Sequence, residues 1–337
     1  MAFFVACFLT FCGLALLLPH SRYIRYQQLA GSAMAPGVWI FERTRFDRTP
    51  IDVAIVGASR TEVAISAPRL QAILSHRLGR PIHVANLAMP KDGRDLHYAL
   101  TRQLLETHPE VRLIIYSVIE HPSRTGHPAF RSVADSRDVV SEPLLLNPSY
   151  LENLAYLPYR QISLFVQTLL PKLFAVRTRF DSHAYWGTDY DSTRSYRSSN
   201  GGWVDRDSIR SSKELATSAA REFSIRKPRF LPTSGRDYEY AIERQYTEKI
   251  YHLARQHGMK IAFIYLPVYA HAAPIEDLDF YRSKGRYFNA SFMAGDFRNY
   301  SDYGHANRIG SARVTDWLAG QLSMDDLNRP PSRRSVD

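Results

Sequence analysis

Cysteine is almost absent from this 337-residue chain, and both copies, Cys7 and Cys12, fall in an apolar stretch at the N-terminus. The body therefore has no disulfide, no thiolate zinc site and no cysteine nucleophile. The first 21 residues contain no Asp, Glu, Lys or Arg. Elsewhere the chain lacks a Gly-x-x-x-x-Gly-Lys phosphate loop and a Gly-x-Gly-x-x-Gly dinucleotide turn, which argues against P-loop and Rossmann nucleotide chemistry. His252 and His257 are five apart, so they do not share a helix face as a His-Glu-x-x-His zinc pair would. No internal repeat or low-complexity run is present. Neither a metal nor a cofactor is implied.

The composition is that of an ordinary globular protein, with 45% hydrophobic and 23% charged residues, enough to bury a core without staples. Lys and Arg number 43 against 33 Asp and Glu, giving a net charge of +10. Such an excess is either a solvated basic surface or an affinity for phospholipid, anionic polysaccharide or nucleic acid. No nucleic-acid motif accompanies it, and an apolar anchor argues against that partner.

The run from Ala2 to Leu18 reaches about 25 Å as a helix, the short end of what a membrane span needs. Pro19 ends it, and Arg22, Tyr23, Arg25 and Tyr26 form an interface-like flank. A cleaved signal peptide would want a basic n-region and a small-x-small site, and Leu17-Leu18-Pro19 offers neither. Phe11 before Cys12 disfavours a lipoprotein site. The expectation is a single membrane anchor over residues 1–21, then a linker over 22–49. Flanking positive charge alone places the body in the cytoplasm.

Strand and helix patterns alternate through the body. Ile51 to Val56 is a β-branched run ending at Gly57, and Ser66-Ala67-Pro68 opens a helix to about Leu78. Strands are expected over 81–87, 111–119 and 259–266, with a short one at Tyr287-Phe288. Helices are expected over 94–106, 237–257 and 306–322. This order predicts an α/β three-layer sandwich with a mainly parallel sheet over residues 50–322. Residues 122–235 interrupt it. Their later part, too long for a plain loop, is either disordered or a cap. Trp186, Tyr190 and Trp203 favour the cap, because aromatics are depleted in disorder. Residues 323–337 read as a disordered tail.

Ligands of open α/β sheets bind at the carboxyl ends of the strands. There, Gly57-Ala58-Ser59 leaves a hydroxyl at the rim of the first strand. Near the C-terminus, Asp302 stands three residues before His305 at the mouth of the last helix. An aspartate so placed can hold the imidazole Nδ1 proton and leave Nε2 free to act as base toward Ser59. The simpler alternatives are a turn serine, a capping aspartate and a surface histidine.

Gly57-x-Ser59 with Asp302-x-x-His305-x-Asn307-x-x-Gly310 resembles the SGNH (GDSL-type) hydrolase superfamily, whose sheet is flavodoxin-like. Val84-Ala85-Asn86-Leu87 and Phe263-Ile264-Tyr265-Leu266-Pro267 make the chain similar to its membrane-anchored acyltransferase-like branch, which includes alginate O-acetyltransferases. The resemblance covers about residues 50–120 and 240–322. It implies Ser59 as nucleophile, His305 as base and Asp302 as its partner. It also implies an oxyanion hole from the Ser59 N–H and the Lys91-Asp92-Gly93 loop. The superfamily's Gly-x-Asn-Asp block is missing, and Glu120-His121 stands there as a pocket candidate, with Asn307 close in sequence to the base.

The activity that this resemblance implies is that of a serine acyl-esterase or O-acyltransferase acting on a cell-envelope or exported polysaccharide. A membrane-bound acyltransferase is a candidate source of its acyl donor. Trp186, Tyr190 and Trp203 would stack on sugars, with Arg194, Arg197 and Arg206 meeting acidic groups. That chemistry places the body in the periplasm, anchored to the inner membrane, against the flanking charges. The alternative is a non-catalytic polysaccharide-binding or export-scaffold protein, which the missing Asn favours.

Overall fold

The computed structural model describes residues 1–197, 202–224 and 230–328. The chain begins with three helices, α1 (Ala2–Ala15), α2 (Arg22–Gln27) and α3 (Pro36–Arg45). The first sheet unit is β1 (Val53–Val56), α4 (Ser59–Ala64), α5 (Ala67–Leu78) and β2 (Val84–Asn86). α6 (Arg94–Leu105) then leads to β3 (Leu113–Val118). The insertion contributes α7 (Phe130–Val133), α8 (Ser136–Val140), α9 (Tyr150–Leu169), a two-stranded hairpin of β4 (Tyr196–Arg197) and β5 (Trp203–Val204), and α10 (Ser212–Ser224). The chain returns through α11 (Arg236–Glu239), α12 (Ala241–Gln256), β6 (Lys260–Tyr265), α13 (Leu278–Arg282) and β7 (Arg286–Asn289). It closes with α14 (Arg308–Gln321) and α15 (Met324–Leu327).

Five parallel strands make one sheet in the order β2-β1-β3-β6-β7, with Val53 level with both Val84 and Leu113, and Leu113 level with Lys260. Strand alternation divides its residues between two cores. Ala54, Val56, Ile114, Tyr116 and Phe263 face α2, α3, α6 and α12, while Val53, Ile55, Leu113, Ile115 and Ile264 face α5 and α14. The protein is therefore an α/β three-layer sandwich around an all-parallel sheet. β2 lies on one side of β1 and β3 on the other, so the order reverses at β1 and opens a crevice beyond its carboxyl end.

Three expectations need correction. Residues 22–49 are not a linker, since Tyr23, Tyr26, Trp39 and Phe41 are buried in the first core. Tyr26 and Phe41 rings lie 4.7 Å apart, so α2 and α3 pair through aromatics within that core. Residues 323–328 are ordered: Ser323 and Asp326 form a reciprocal capping box at α15. The rest of the expected tail, from 329, lies outside the described residues.

The third correction concerns the anchor. α1 has 14 residues, and among the described residues no helix is long and apolar enough to cross a membrane. The chain leaves the helix early because its end docks on α9. Gln161 donates to the Leu16 carbonyl at 3.1 Å, and the Ser21 N–H donates to Thr168 at 3.1 Å. Earlier turns leave Phe3, Phe4, Phe8, Phe11 and Leu14 exposed. The insertion, in turn, is built as part of the fold. Phe130, Val139 and Leu157 form a third core with Ile242 and Tyr246 of α12.

Candidate active site

Ser59 is the first residue of α4, and its position follows from how tightly the chain leaves β1. A Cβ on Gly57 would stand 2.7 Å from Ser117 Oγ and 2.9 Å from Thr61 Cβ, so only glycine fits that exit. Ser117 Oγ also accepts the Ala58 N–H at 3.2 Å. Asn86, at the end of β2, secures the other end of α4. Its amide donates to the carbonyls of Thr61, Glu62 and Ile65 at 3.3, 3.2 and 2.8 Å, which a six-residue helix would otherwise leave unpaired.

His305 is presented by a turn whose Asp302 Oδ1 accepts the N–H groups of Gly304 and His305, each at 2.9 Å. The Ser301 N–H returns to the His305 carbonyl at 3.0 Å. Asn307 caps α14 by accepting the Gly310 N–H at 3.0 Å, while its amide donates to the Arg298 carbonyl at 2.8 Å. A Cβ on Gly310 would stand 2.1 Å from the Asn299 carbonyl oxygen. The Asn-x-x-Gly spacing thus fixes the start of α14, and Asn307, buried at 1% exposure, has a structural place instead of the pocket role expected.

These two elements meet. His305 Nδ1 lies 2.9 and 2.8 Å from the Asp302 carboxylate oxygens, and His305 Nε2 lies 2.8 Å from Ser59 Oγ. Burial opposes the charge on Asp302, but the His305 ring and the two N–H groups outweigh it and hold the carboxyl below its usual range. An ionised Asp302 accepts from Nδ1–H, which leaves Nε2 as the unprotonated nitrogen facing the hydroxyl. The Ser59 N–H makes no hydrogen bond with any described residue, as expected for the first position of a helix.

Ser59, Asp302 and His305 line a cavity of about 600 Å³ together with Lys91, Trp186, Glu62 and Arg206. Lys91 has a left-handed backbone (φ 74°). Its loop is clamped by His127, whose Nδ1 accepts the Ala129 N–H at 3.0 Å, so that Nε2–H donates to the Pro90 carbonyl at 2.8 Å. Burial lowers the His127 pKa to about 4, which keeps this neutral form.

The other oxyanion candidates lie elsewhere. Gly93 is packed under His127, whose backbone N would be 2.3 Å from an added Cβ. Asp92 faces the buried Arg94–Glu243 pair, and burial together with the Glu243 charge raises its pKa. Glu120 is fully buried and takes Arg60 at 2.9 Å and the Tyr265 hydroxyl at 3.1 Å. Arg60 also donates to the Leu266 carbonyl at 3.2 Å. His121 is exposed and sits 3.3 Å from Glu276. Neither residue lines the cavity, because a carboxylate at the end of β3 is drawn to the arginine that follows the candidate nucleophile.

Of the aromatic trio, Trp186 lines the cavity. Tyr190 is half-buried instead of exposed, wedged between Trp39 and Trp186 at 5.0 and 4.8 Å between ring centres. Trp203 is 63% exposed and lines a separate cavity of about 860 Å³ with Arg194, Asp191 and Arg308. Val204 faces the first cavity, so adjacent residues of β5 serve opposite sides. The side chain of Arg197 lies outside the described residues. The larger cavity has no histidine or cysteine in its lining, whereas the smaller one holds the Ser59, His305 and Asp302 group. Sequence reading missed Glu62 and Arg60, because α4 has only six residues and gives no periodic signal. No protein-family model matches the chain, and no curated protein matches it.

Proposed function

We propose that the protein is a serine acyl-esterase or O-acyltransferase. The observation that carries this reading is the unbroken line of hydrogen bonds from Asp302 through His305 to Ser59 Oγ. Ser59 Oγ attacks an acyl carbonyl as His305 Nε2 takes its proton. The tetrahedral oxyanion is met by the free Ser59 N–H, with the Lys91 loop as the second wall. Collapse returns the proton to the leaving group and leaves an acyl-Ser59. An acceptor hydroxyl or water then gives its proton to His305 and takes the acyl group, restoring Ser59. No step calls for a cofactor.

The acceptor is a polysaccharide hydroxyl of the cell envelope or an exported polymer, supported by the exposed Trp186 and Trp203 and by the net charge of +10. The exposed phenylalanines of α1 seat the chain at the inner membrane, with the site on the periplasmic side and a membrane-bound acyltransferase as donor supply. The finer SGNH assignment rests on the parallel sheet and on the placement of Ser59, Asp302 and His305 at its carboxyl edge.

A serine-directed fluorophosphonate tests the reading. Ser59 of the folded full-length chain should be labelled, and the chain should turn over an activated acetyl ester. Ser59→Ala and His305→Ala should each abolish turnover, with the double variant scarcely worse than either. Absence of both labelling and turnover would leave the polysaccharide-binding scaffold as the better account.

A further inference from the structure

Glu62 lies one turn after Ser59 on α4, and residues three apart share a helix face. It is 3% exposed, yet it lines the same cavity as Ser59 and His305. Its backbone carbonyl is fixed by Asn86 and by the Ser192 hydroxyl at 2.5 Å, so the side chain starts from a rigid base. The carboxyl makes no hydrogen bond or ion pair with any described residue. Burial raises its pKa to about 7, with the Arg206 charge acting against that rise. Arg206, which lines the same cavity, has a buried Nε without a hydrogen-bond partner among the described residues, and so has the Tyr190 hydroxyl, on which the Glu62 charge bears. Leaving buried polar groups unmet is costly, and it is tolerated where a ligand completes them.

We propose that Glu62 is the specificity residue of the acyl acceptor, taking a hydrogen bond from a hydroxyl next to the one that is acylated. The inference rests on Ser59 being the acyl carrier. In the second half-reaction, one acceptor hydroxyl loses its proton to His305 Nε2 while its oxygen bonds to the acyl carbon. The bond from that carbon to Ser59 Oγ breaks, and Oγ regains the proton. The neighbouring hydroxyl meets Glu62, with Arg206 within reach of the same substrate. A hydroxyl both donates and accepts, so it satisfies the carboxyl in either protonation state. A ligand carboxylate placed there meets a like charge once Glu62 ionises. The site accordingly selects an uncharged vicinal polyol, such as a neutral sugar ring, over an isolated alcohol.

The test uses the full chain, p-nitrophenyl acetate as donor, and glycerol and 1-propanol as competing acceptors at equal concentration. The ratio of acetylglycerol to propyl acetate is measured. Native protein should favour glycerol, and Glu62→Ala should lower that ratio about tenfold, the worth of one hydrogen bond to a charged group. Glu62→Gln, close in shape and still able to hydrogen-bond, should fall between the two, and it remains readable if the alanine variant does not fold. A purely structural role for Glu62 would change both products together, since both acceptors draw on one acyl-enzyme. An unchanged ratio in both variants, or hydrolysis with no ester formed from either acceptor, overturns the inference while leaving an esterase. Native protein that neither labels nor turns over overturns the acyl-enzyme reading, and the inference with it.

Discussion

Replacing Glu243 by alanine strands a buried arginine beneath the site. Arg94 Nε and Nη2 reach Glu243 Oε1 at 3.0 and 2.7 Å, and the Tyr281 hydroxyl donates to the same oxygen at 2.9 Å. The two charged side chains are 2% and 5% exposed, so water cannot take over for either partner. Removing one member of a buried pair costs about 3–5 kcal/mol, because the remaining charge stays desolvated. The loss of the tyrosine's acceptor adds about 1 kcal/mol. Asp92 opposes part of this, since its charge also bears on Arg94. The expected loss is therefore about 4 kcal/mol, a large share of a total that seldom exceeds about 15 kcal/mol. Arg94 Nη2 also donates to the Ser117 carbonyl at 2.8 Å, and Ser117 holds the turn before Ser59. Fluorophosphonate labelling should therefore slow along with the loss of stability. Urea unfolding followed by circular dichroism reads the first effect. A loss below about 1 kcal/mol with an unchanged slope would refute the claim that this pair is a desolvated keystone.

Asp302→Asn should lower kcat for an activated acetyl ester by about 10³–10⁴-fold while leaving the melting temperature close to native, because the amide cannot hold the same imidazole tautomer. Gly310→Ala should destabilise the chain by about 1–3 kcal/mol, as the new methyl meets the Asn299 carbonyl; calorimetry measures it, and a neutral effect would mean that α14 can shift. Glu62→Gln should gain stability relative to native as pH rises. The native carboxyl, raised from 4.5 to about 7 in the folded chain, favours folding below pH 4.5 and loses that advantage by about pH 7. The difference between the two unfolding curves should widen by about 3 kcal/mol from pH 4.5 to 8, and a constant difference would sink the assignment.

The sheet is legible in the sequence because parallel strands buried on both faces are short, nearly continuous apolar runs, as Val53–Val56, Leu113–Val118 and Lys260–Tyr265 are, with Gly57 and Pro267 marking the ends of the first and the last. Asp302 and His305 are legible because their link is local, three residues within one turn. Ser59 is legible through the glycine that the exit from β1 demands. What sequence hides is pairing at long separation. α2 and α3 read as linker because Arg22 and Arg25 look like a membrane flank. In the fold, Arg25 is buried against Asp135 at 2.8 Å, so its charge serves the interior. Likewise α4 has only six residues, too few for a periodic signal, and so nothing in the sequence marks Glu62 as sharing a face with Ser59.

Under the proposed SGNH reading, the asparagine missing after β3 acquires a physical meaning from Glu120. An ionised carboxylate aimed at the oxyanion would oppose catalysis, but Glu120 is fully buried and committed to Arg60 and Tyr265. Arg60 is the second residue of α4, so this pair ties the helix carrying Ser59 to the end of β3, across the reversal in strand order. A Cβ on Gly304 would lie 3.9 Å from Arg60 Nε, which places the guanidinium against the Asp302–His305 turn as well. One arginine thus braces the elements that hold Ser59 and His305. An asparagine in place of Glu120 would offer a donor to the substrate but no charge to hold Arg60. Each oxyanion donor is worth about 3–4 kcal/mol in the barrier, so under the proposed mechanism a hole built from the Ser59 N–H and the Lys91 loop alone implies slower acyl transfer than a three-donor site. The same carboxylate, through Arg60, braces the helix from which Ser59 Oγ reaches His305 Nε2 at 2.8 Å.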